Sequence, residues 1–322
     1  MTKKTKSHYQ ETYNLSQVER GILKKGGIFR YETRGHKPPK YTPVKTTVDD
    51  IPITIYFAEV QRDLDELPKS YKSNPDAPFN LNEKHLSILL AVLAKAAATN
   101  MTVQEALDAD LADPRVGMYV NPQAAAWCSM SFYELIEIAG LTYNGKTYET
   151  IVLMLQDLFA VQYKEGSPPS ANRKTTASAG PCLHYVFEED ADENEVRKIE
   201  FAVNVRLSGA LLEFENAKRL SSLHVNLDEY RTLSPLQKLI YVRLLAYASG
   251  ARASKQKVKF TTIYEDVFGV AHDDESITKR TYENRIKAIK DACTEIGKLE
   301  SFQVDEINTR RDKNLHYSYK KQ

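Results

Sequence analysis

Cysteine is scarce: the 322 residues hold three, Cys128, Cys182 and Cys293. Their odd number and wide separation argue against a disulfide framework and offer no paired spacing for a zinc module. No apolar run approaches the roughly 18 residues that span a membrane. The opening MTKKTKSHYQETYNLSQ also lacks the apolar core of a secretory signal. A cytoplasmic protein with no membrane partner is expected. Net charge is nearly absent, with 44 Lys plus Arg against 43 Asp plus Glu. A polyanionic partner must therefore be met by local clusters and not by the field of the whole chain. Catalytic constellations are missing as well. His8, His36, His85, His184, His224, His272 and His316 are scattered, with no H-E-x-x-H or nucleophile-elbow pattern and no carboxylate pair marked by spacing. A protein that is not an enzyme, with no metal and no cofactor, is expected.

What is present is a composition 42% hydrophobic and 27% charged, that of a folded chain long enough for two cores. Its charge is unevenly spread. Residues 1–46 carry eleven Lys or Arg against three acids, whereas 49–120 carry twelve acids against six bases. Such asymmetry accompanies nucleic-acid contact. Residues 1–46 read as a basic N-terminal arm, and KYTPVKTTVDDIPITIYFAEV after it as a hairpin turning at Asp49 and Asp50.

Helical spacing begins at LNEKHLSILLAVLAKAAAT, with Asn80 or Asn82 as cap. His85 starts its apolar stripe and, with no second ligand nearby, reads as a packing or surface residue. A second helix, SFYELIEIA, stops at Gly140, and a third runs from about Lys146 through YETIVLMLQDLF. Helix, turn with glycine, helix is the helix-turn-helix arrangement. FAVQYKEG and CLHYVFEED then read as the strands of a β-ribbon. The order recurs. After KIEFAVNV, Ser234 and Pro235 open the amphipathic LQKLIYVRLLAYAS, KVKF leads into TTIYEDVF ending at Gly269, and DDESITKRTYENRIKAIKDACTEIG precedes strands around NTRRDKN. The fold predicted is α+β, two tandem winged-helix domains behind a basic arm: residues 1–46, 47–190 and 191–322.

In the last long helix, Tyr282, Ile286, Ile289, Cys293 and Ile296 mark an inward stripe. At about 100° per residue, Arg280, Asn284 and Lys287 fall on the opposite side, with Lys279 and Lys290 on its flanks. Arg285 is counted with this set. These residue types hydrogen-bond guanine, adenine and phosphate, and a helix fits the major groove. Arg310, Arg311 and Lys313 lie where a winged-helix ribbon touches the backbone. In the first unit Asn144, Lys146, Thr147 and Thr150 are the outward residues, and Arg173 and Lys174 the ribbon cations.

GLTYNGKT, Gly140 to Thr147, satisfies the phosphate-loop pattern letter for letter. A phosphate loop follows a buried parallel strand, whereas FYELIEIAG places Glu134 and Glu137 at helical spacing. A phosphate-loop ATPase is therefore the lesser alternative, Lys146 facing DNA phosphate instead.

SFYELIEIAGLTYNGKTYETIVLMLQDLFAV resembles the first winged helix of the TrfA-type and IncQ RepC-type plasmid replication initiators. KIEFAVNVRLSGALLE, SSLHVNLDEYRTLSPLQKLIYVRLLAY and TKRTYENRIKAIKDACTEIGKLESFQV are similar to the blocks that follow, and GIFRYETRG, ITIYFAE and LNEKHLSILLAVLAKA to those before, from about Gly27 onward. The resemblance implies a non-enzymatic, plasmid-associated protein that binds repeated double-stranded origin sites (iterons), opens adjacent A·T-rich DNA and recruits the replicative helicase. It also implies a homodimer made through LHVNL or RLSGALLEF. The linker 163–181 and the acidic run DADENE exceed what a minimal winged helix needs. A winged-helix transcriptional regulator would use the same reading heads without opening DNA, and a structural adaptor would have neither activity.

Overall fold

The computed structural model describes residues 7–19, 28–31, 43–48, 51–57, 81–142, 147–166, 176–181, 183–189, 196–204, 222–248, 255–308 and 310–320. The N-terminal elements are α1 (His8–Thr12), β1 (Leu15–Glu19), β2 (Val44–Val48) and β3 (Ile51–Phe57). Next come α2 (Glu83–Thr99), β4 (Met101–Thr102), α3 (Val103–Asp108), β5 (Ala126–Met130), α4 (Phe132–Ala139) and α5 (Thr147–Phe159). Strands β6 (Val161–Gly166), β7 (Thr176–Pro181), β8 (Leu183–Glu189), β9 (Val196–Val203) and β10 (Ser222–Asn226) follow, then α6 (Leu227–Thr232) and α7 (Pro235–Ala248). The chain closes with β11 (Lys255–Lys259), α8 (Phe260–Phe268), α9 (Lys279–Ile296), β12 (Phe302–Val304) and β13 (Asn314–Tyr319). The fold is α+β, and the strand pairings among the described residues are antiparallel.

One order of elements occurs twice. α2, β5, α4 and α5 precede the β8–β9 hairpin, in a sheet ordered β4-β5-β9-β8; α7, β11, α8 and α9 precede β12 and β13, in a sheet ordered β11-β13-β12. In both copies the last strand is central, with Cys128 opposite Phe201 in the first and Lys257 opposite His316 in the second. Local chemistry sets the helix ends. The Ser131 hydroxyl accepts from the Glu134 N–H at 3.1 Å, and Gly140 closes α4 at φ 66°, a conformation glycine adopts without a Cβ penalty. Asn82 and His85 form a capping box at the start of α2. The His85 ring, 3% exposed, also reaches Asp157 of α5 at 3.3 Å.

The ribbon of the first copy differs from the expected one. β6 leaves for a separate sheet ordered β2-β3-β6-β7, and β8 pairs with β9. The expected boundary at 190/191 thus falls inside a hairpin. The reason lies in β9, where Ile199, Glu200, Phe201, Ala202 and Val203 are all buried; a strand covered on both faces and paired on both edges belongs at the centre of a sheet.

The basic arm is also not a free tail over its described parts. β1 pairs with β10, Leu15 opposite Asn226. LHVNL, expected to self-associate, thus has one edge filled by its own chain; RLSGALLEF lies outside the described residues. Ile28 and Phe29 are buried, the Arg30 N–H donates to Leu81 O at 2.7 Å, and the Tyr31 N–H to Val267 O at 2.7 Å. The apolar Ile28 and Phe29 explain the insertion, since leaving both exposed would forgo roughly 1.5–3 kcal/mol each.

α6 joins the two copies through three consecutive side chains. The Tyr241 hydroxyl and the Ser301 N–H donate to Glu229, both at 3.0 Å. The Tyr230 hydroxyl meets Ser87 Oγ at 3.2 Å. Arg231 donates to Ile138 O at 2.9 Å, Gln10 O at 3.2 Å and Tyr13 O at 2.6 Å. Residues of both copies and of the N-terminal segments form one hydrophobic cluster. α7, expected to be amphipathic, is buried from Lys238 to Ala246 because it packs on α2, α6, α8 and α9. No helix among the described residues is long and apolar enough to cross a membrane.

Candidate nucleic-acid interface

α9 starts at Thr278, whose hydroxyl accepts from the Thr281 N–H at 3.2 Å. Its first turn holds Lys279 and Arg280 and no acid. Cations there oppose the helix dipole, a cost of roughly 0.3–1 kcal/mol each, which an anion placed before the helix would offset. Lys279, Arg280, Asn284 and Lys287 are exposed, as expected, with Glu283 among them.

Two residues depart from the expected outward set. Arg285 is 8% exposed, donates to the Tyr264 hydroxyl at 3.2 Å and lies 4.6 Å from the centre of the Phe268 ring. Lys290 is 3% exposed, donates to Asp312 O at 2.6 Å and lies 4.9 Å from the Phe260 ring centre. The buried side of α9 comprises Arg285, Ile289, Lys290, Ala292, Cys293 and Ile296. It is wider than the five-residue apolar stripe because α8 covers one margin and the turn before β13 the other. Arginine and lysine suit these margins, since their stems pack while their cationic heads find carbonyls and rings.

That turn carries the second cluster. The Asn308 side chain accepts from the Arg310 N–H at 3.1 Å and the Arg311 N–H at 3.2 Å, and the Asp312 N–H donates to Asn308 O at 2.9 Å. Arg310, Arg311 and Lys313 stay exposed on it. Between α9 and the turn runs a groove of about 670 Å³, lined by Lys259, Thr261, His272, Tyr282, Lys287 and Lys313 together with Glu283 and Asp312. Its lining thus brings the side chains of Lys259, His272, Lys287 and Lys313 to one groove, with the carboxylates of Glu283 and Asp312 beside them. His272 Nδ1 lies 2.5 Å from Glu265, and this bond holds the imidazole pKa above its ordinary value. Lys259 and His272 carried no signal in the sequence, because they reach the groove from β11 and from the loop after α8.

In the first copy Thr150 is half-buried, lining a cleft toward α7. Thr147 begins α5, but its side chain lies outside the described residues, as do Asn144, Lys146, Arg173 and Lys174. The segment before Gly140 is the helix α4, not a strand. Among the described residues no group of three His, Cys, Asp or Glu side chains is placed to hold a metal. Cys128 and Cys293 are free and buried, and burial pushes both thiols up; Cys182 lies outside the described residues.

The described elements define an α+β chain with a duplicated helix, strand, helix, helix, hairpin unit, whose second copy presents a cationic helix face beside a cationic turn. No protein-family profile matches the chain, and no curated protein matches it. Among the solved structures similar to it are two of RctB domains. One is a crystal structure of selenomethionine derivatives of domains 2 and 3 of RctB, at 10% identity over 93% of this chain and 96% of that one, TM-score 0.44. The other is RctB domains 2-3, at 9% identity over 92% and 95%, TM-score 0.42.

Proposed function

We propose that this chain is a sequence-specific double-stranded DNA-binding protein that initiates replication, with two winged-helix units as its reading heads. The observation that carries the reading is the exposure of Lys279, Arg280, Asn284 and Lys287 on one side of α9, next to the turn bearing Arg310, Arg311 and Lys313. The order α7, β11, α8, α9, β12, β13 with β13 central supports the winged-helix reading, with α9 as the element entering the major groove. Arg280, Asn284 and Lys287 read base edges or the adjacent phosphates. The turn and the groove cations neutralise backbone charge and set affinity through counterion release.

The initiator role rests on the resemblance of the sequence blocks to the TrfA-type and RepC-type initiators. In that role several copies fill tandem origin repeats, bending strains the neighbouring A·T-rich steps, and those steps open most easily. The replicative helicase and a second copy of the chain are the protein partners of this reading, the protein resides on its replicon in the cytoplasm, and no enzymatic activity belongs to it. The phosphate-loop ATPase reading loses its support, since α4 occupies the place of the strand such a loop needs.

The test is selection of duplexes from a random pool, followed by permanganate probing of A·T-rich DNA beside the selected site. Recovery of one sequence and unpairing next to it support the reading. Protection without unpairing would make the protein an operator-binding regulator, and recovery of no preferred sequence would remove the base-reading role.

A further inference from the structure

The cationic stretch of α9, from Lys279 to Lys287, contains one acid, Glu283. It is exposed, with Lys279 and Lys287 four residues to either side and Arg280 three before it. At about 100° per residue it lies about 60° from Arg280 and about 40° from Lys287 around the helix, on the same outward side. Acid and base pair on a helix at these spacings. Glu283 nevertheless forms no ion pair among the described residues, whereas Glu295 of the same helix lies 2.5 Å from Lys298.

Two acids line the groove beside α9, Glu283 and Asp312. The fold uses the second, whose carboxylate accepts from the Asn308 N–H and so shapes the turn. Glu283 serves no such purpose among the described residues and leaves its carboxylate in solvent at the groove. Against a phosphate backbone that placement is unfavourable, because the carboxylate repels phosphate and weakens the field of the cations around it. It becomes favourable where the carboxylate meets a hydrogen-bond donor.

The major groove offers such donors on two bases, N4 of cytosine and N6 of adenine. Adenine sets N6 beside the acceptor N7, which repels a carboxylate. Guanine presents two acceptors, and thymine an acceptor and a methyl group. Cytosine alone presents a donor with no acceptor beside it.

We propose that Glu283 is a specificity-determining residue that accepts a hydrogen bond from N4 of a cytosine in the bound duplex. The assignment rests on α9 being the reading helix and adds the identity of one base to that role. The flanking cations attract the duplex in any register. Glu283 disfavours every register that brings phosphate or an acceptor edge to its place, so it selects by repulsion as well as by its own bond.

The experiment measures binding of the natural protein, Glu283→Ala and Glu283→Gln to the selected duplex, to the same duplex with each base pair changed in turn, and to random duplex, at one salt concentration. The natural protein should prefer cytosine at one position by on the order of tenfold to a hundredfold. Glu283→Ala should lose that preference and bind random duplex severalfold tighter, since a repelling charge is gone. Glu283→Gln should move the preference at the same position toward adenine, because a glutamine amide pairs with N6 and N7 together. Both variants should unfold in urea as the natural protein does, the residue being exposed. Unaltered base preferences in both variants, with or without tighter random binding, overturn the proposal and leave α9 as the reading helix. A loss of affinity for all sequences alike in Glu283→Ala also overturns it. A natural protein that prefers no sequence would refute the proposed function itself, and this assignment with it.

Discussion

Replacing Lys290 by methionine separates holding the turn from touching DNA. The ammonium is 3% exposed, 2.6 Å from Asp312 O and 4.9 Å from the Phe260 ring centre. Methionine keeps most of the stem packing. It gives up a charge-assisted hydrogen bond, about 1.5–3 kcal/mol, and a cation–π contact of about 0.5–2 kcal/mol. Against this, an ammonium no longer has to leave water, a relief of several kcal/mol. The opposing contributions leave a small net change in global stability, on the order of 1 kcal/mol, but the turn loses its anchor. Arg310, Arg311 and Lys313 then keep their charge without a fixed place. Each lost phosphate contact removes about 0.9 from the slope of log affinity against log salt, so three would flatten it by up to about 2.7. Fluorescence anisotropy of labelled duplexes from about 50 to 200 mM salt measures that slope, and urea unfolding measures the stability. The preference for the selected site over random duplex should survive, because the side chains proposed to read bases sit on α9. An unchanged slope, or a collapse of the preference at constant slope, would refute the assignment of the turn to phosphate.

Gly140→Ala should destabilise by about 2 kcal/mol in urea unfolding: φ is 66°, left-handed for a residue with a Cβ, and that Cβ would come 2.9 Å from Arg231 Cγ, pushing on the guanidinium that grips Ile138 O and Tyr13 O. Ser16→Ala should gain about 1 kcal/mol in the same assay, since its hydroxyl is buried with no partner among the described residues and such a group costs roughly 1–3 kcal/mol. The imidazole of His272 has its pKa raised in the folded protein, so the stability it contributes is full below the ordinary imidazole pKa and is lost as pH rises through the raised value. Its charge in the groove follows the same course; duplex affinity should fall over that pH window, and His272→Asn should flatten the profile at constant ionic strength.

The order of the helices was readable from local chemistry. Asn82, Ser131, Pro235, Gly140 and Gly269 mark helix ends within a residue or two, because caps and left-handed glycines act over one turn. Strand partners were not readable in the same way. β8 resembles a partner for β6 in pattern, yet it pairs with β9, since pairing is decided by what both faces of β9 bury. The outward face of α9 was legible for Arg280, Asn284 and Lys287, where the apolar stripe lies opposite. It was not legible for Arg285 and Lys290, because periodicity gives the direction of a stripe and not its width, and that width is set by α8 and by a turn some twenty residues onward.

Binding of Arg280→Ala to the selected duplex and to random duplex, in parallel at one salt concentration, tests the base-reading role of α9 most directly. The guanidinium is exposed at the start of α9, and one good bidentate base contact discriminates by about 1–3 kcal/mol. The expected result is a loss of that size on the selected site and a much smaller one on random DNA. Equal losses on both would mean that α9 binds phosphate without reading bases, and would contradict the account.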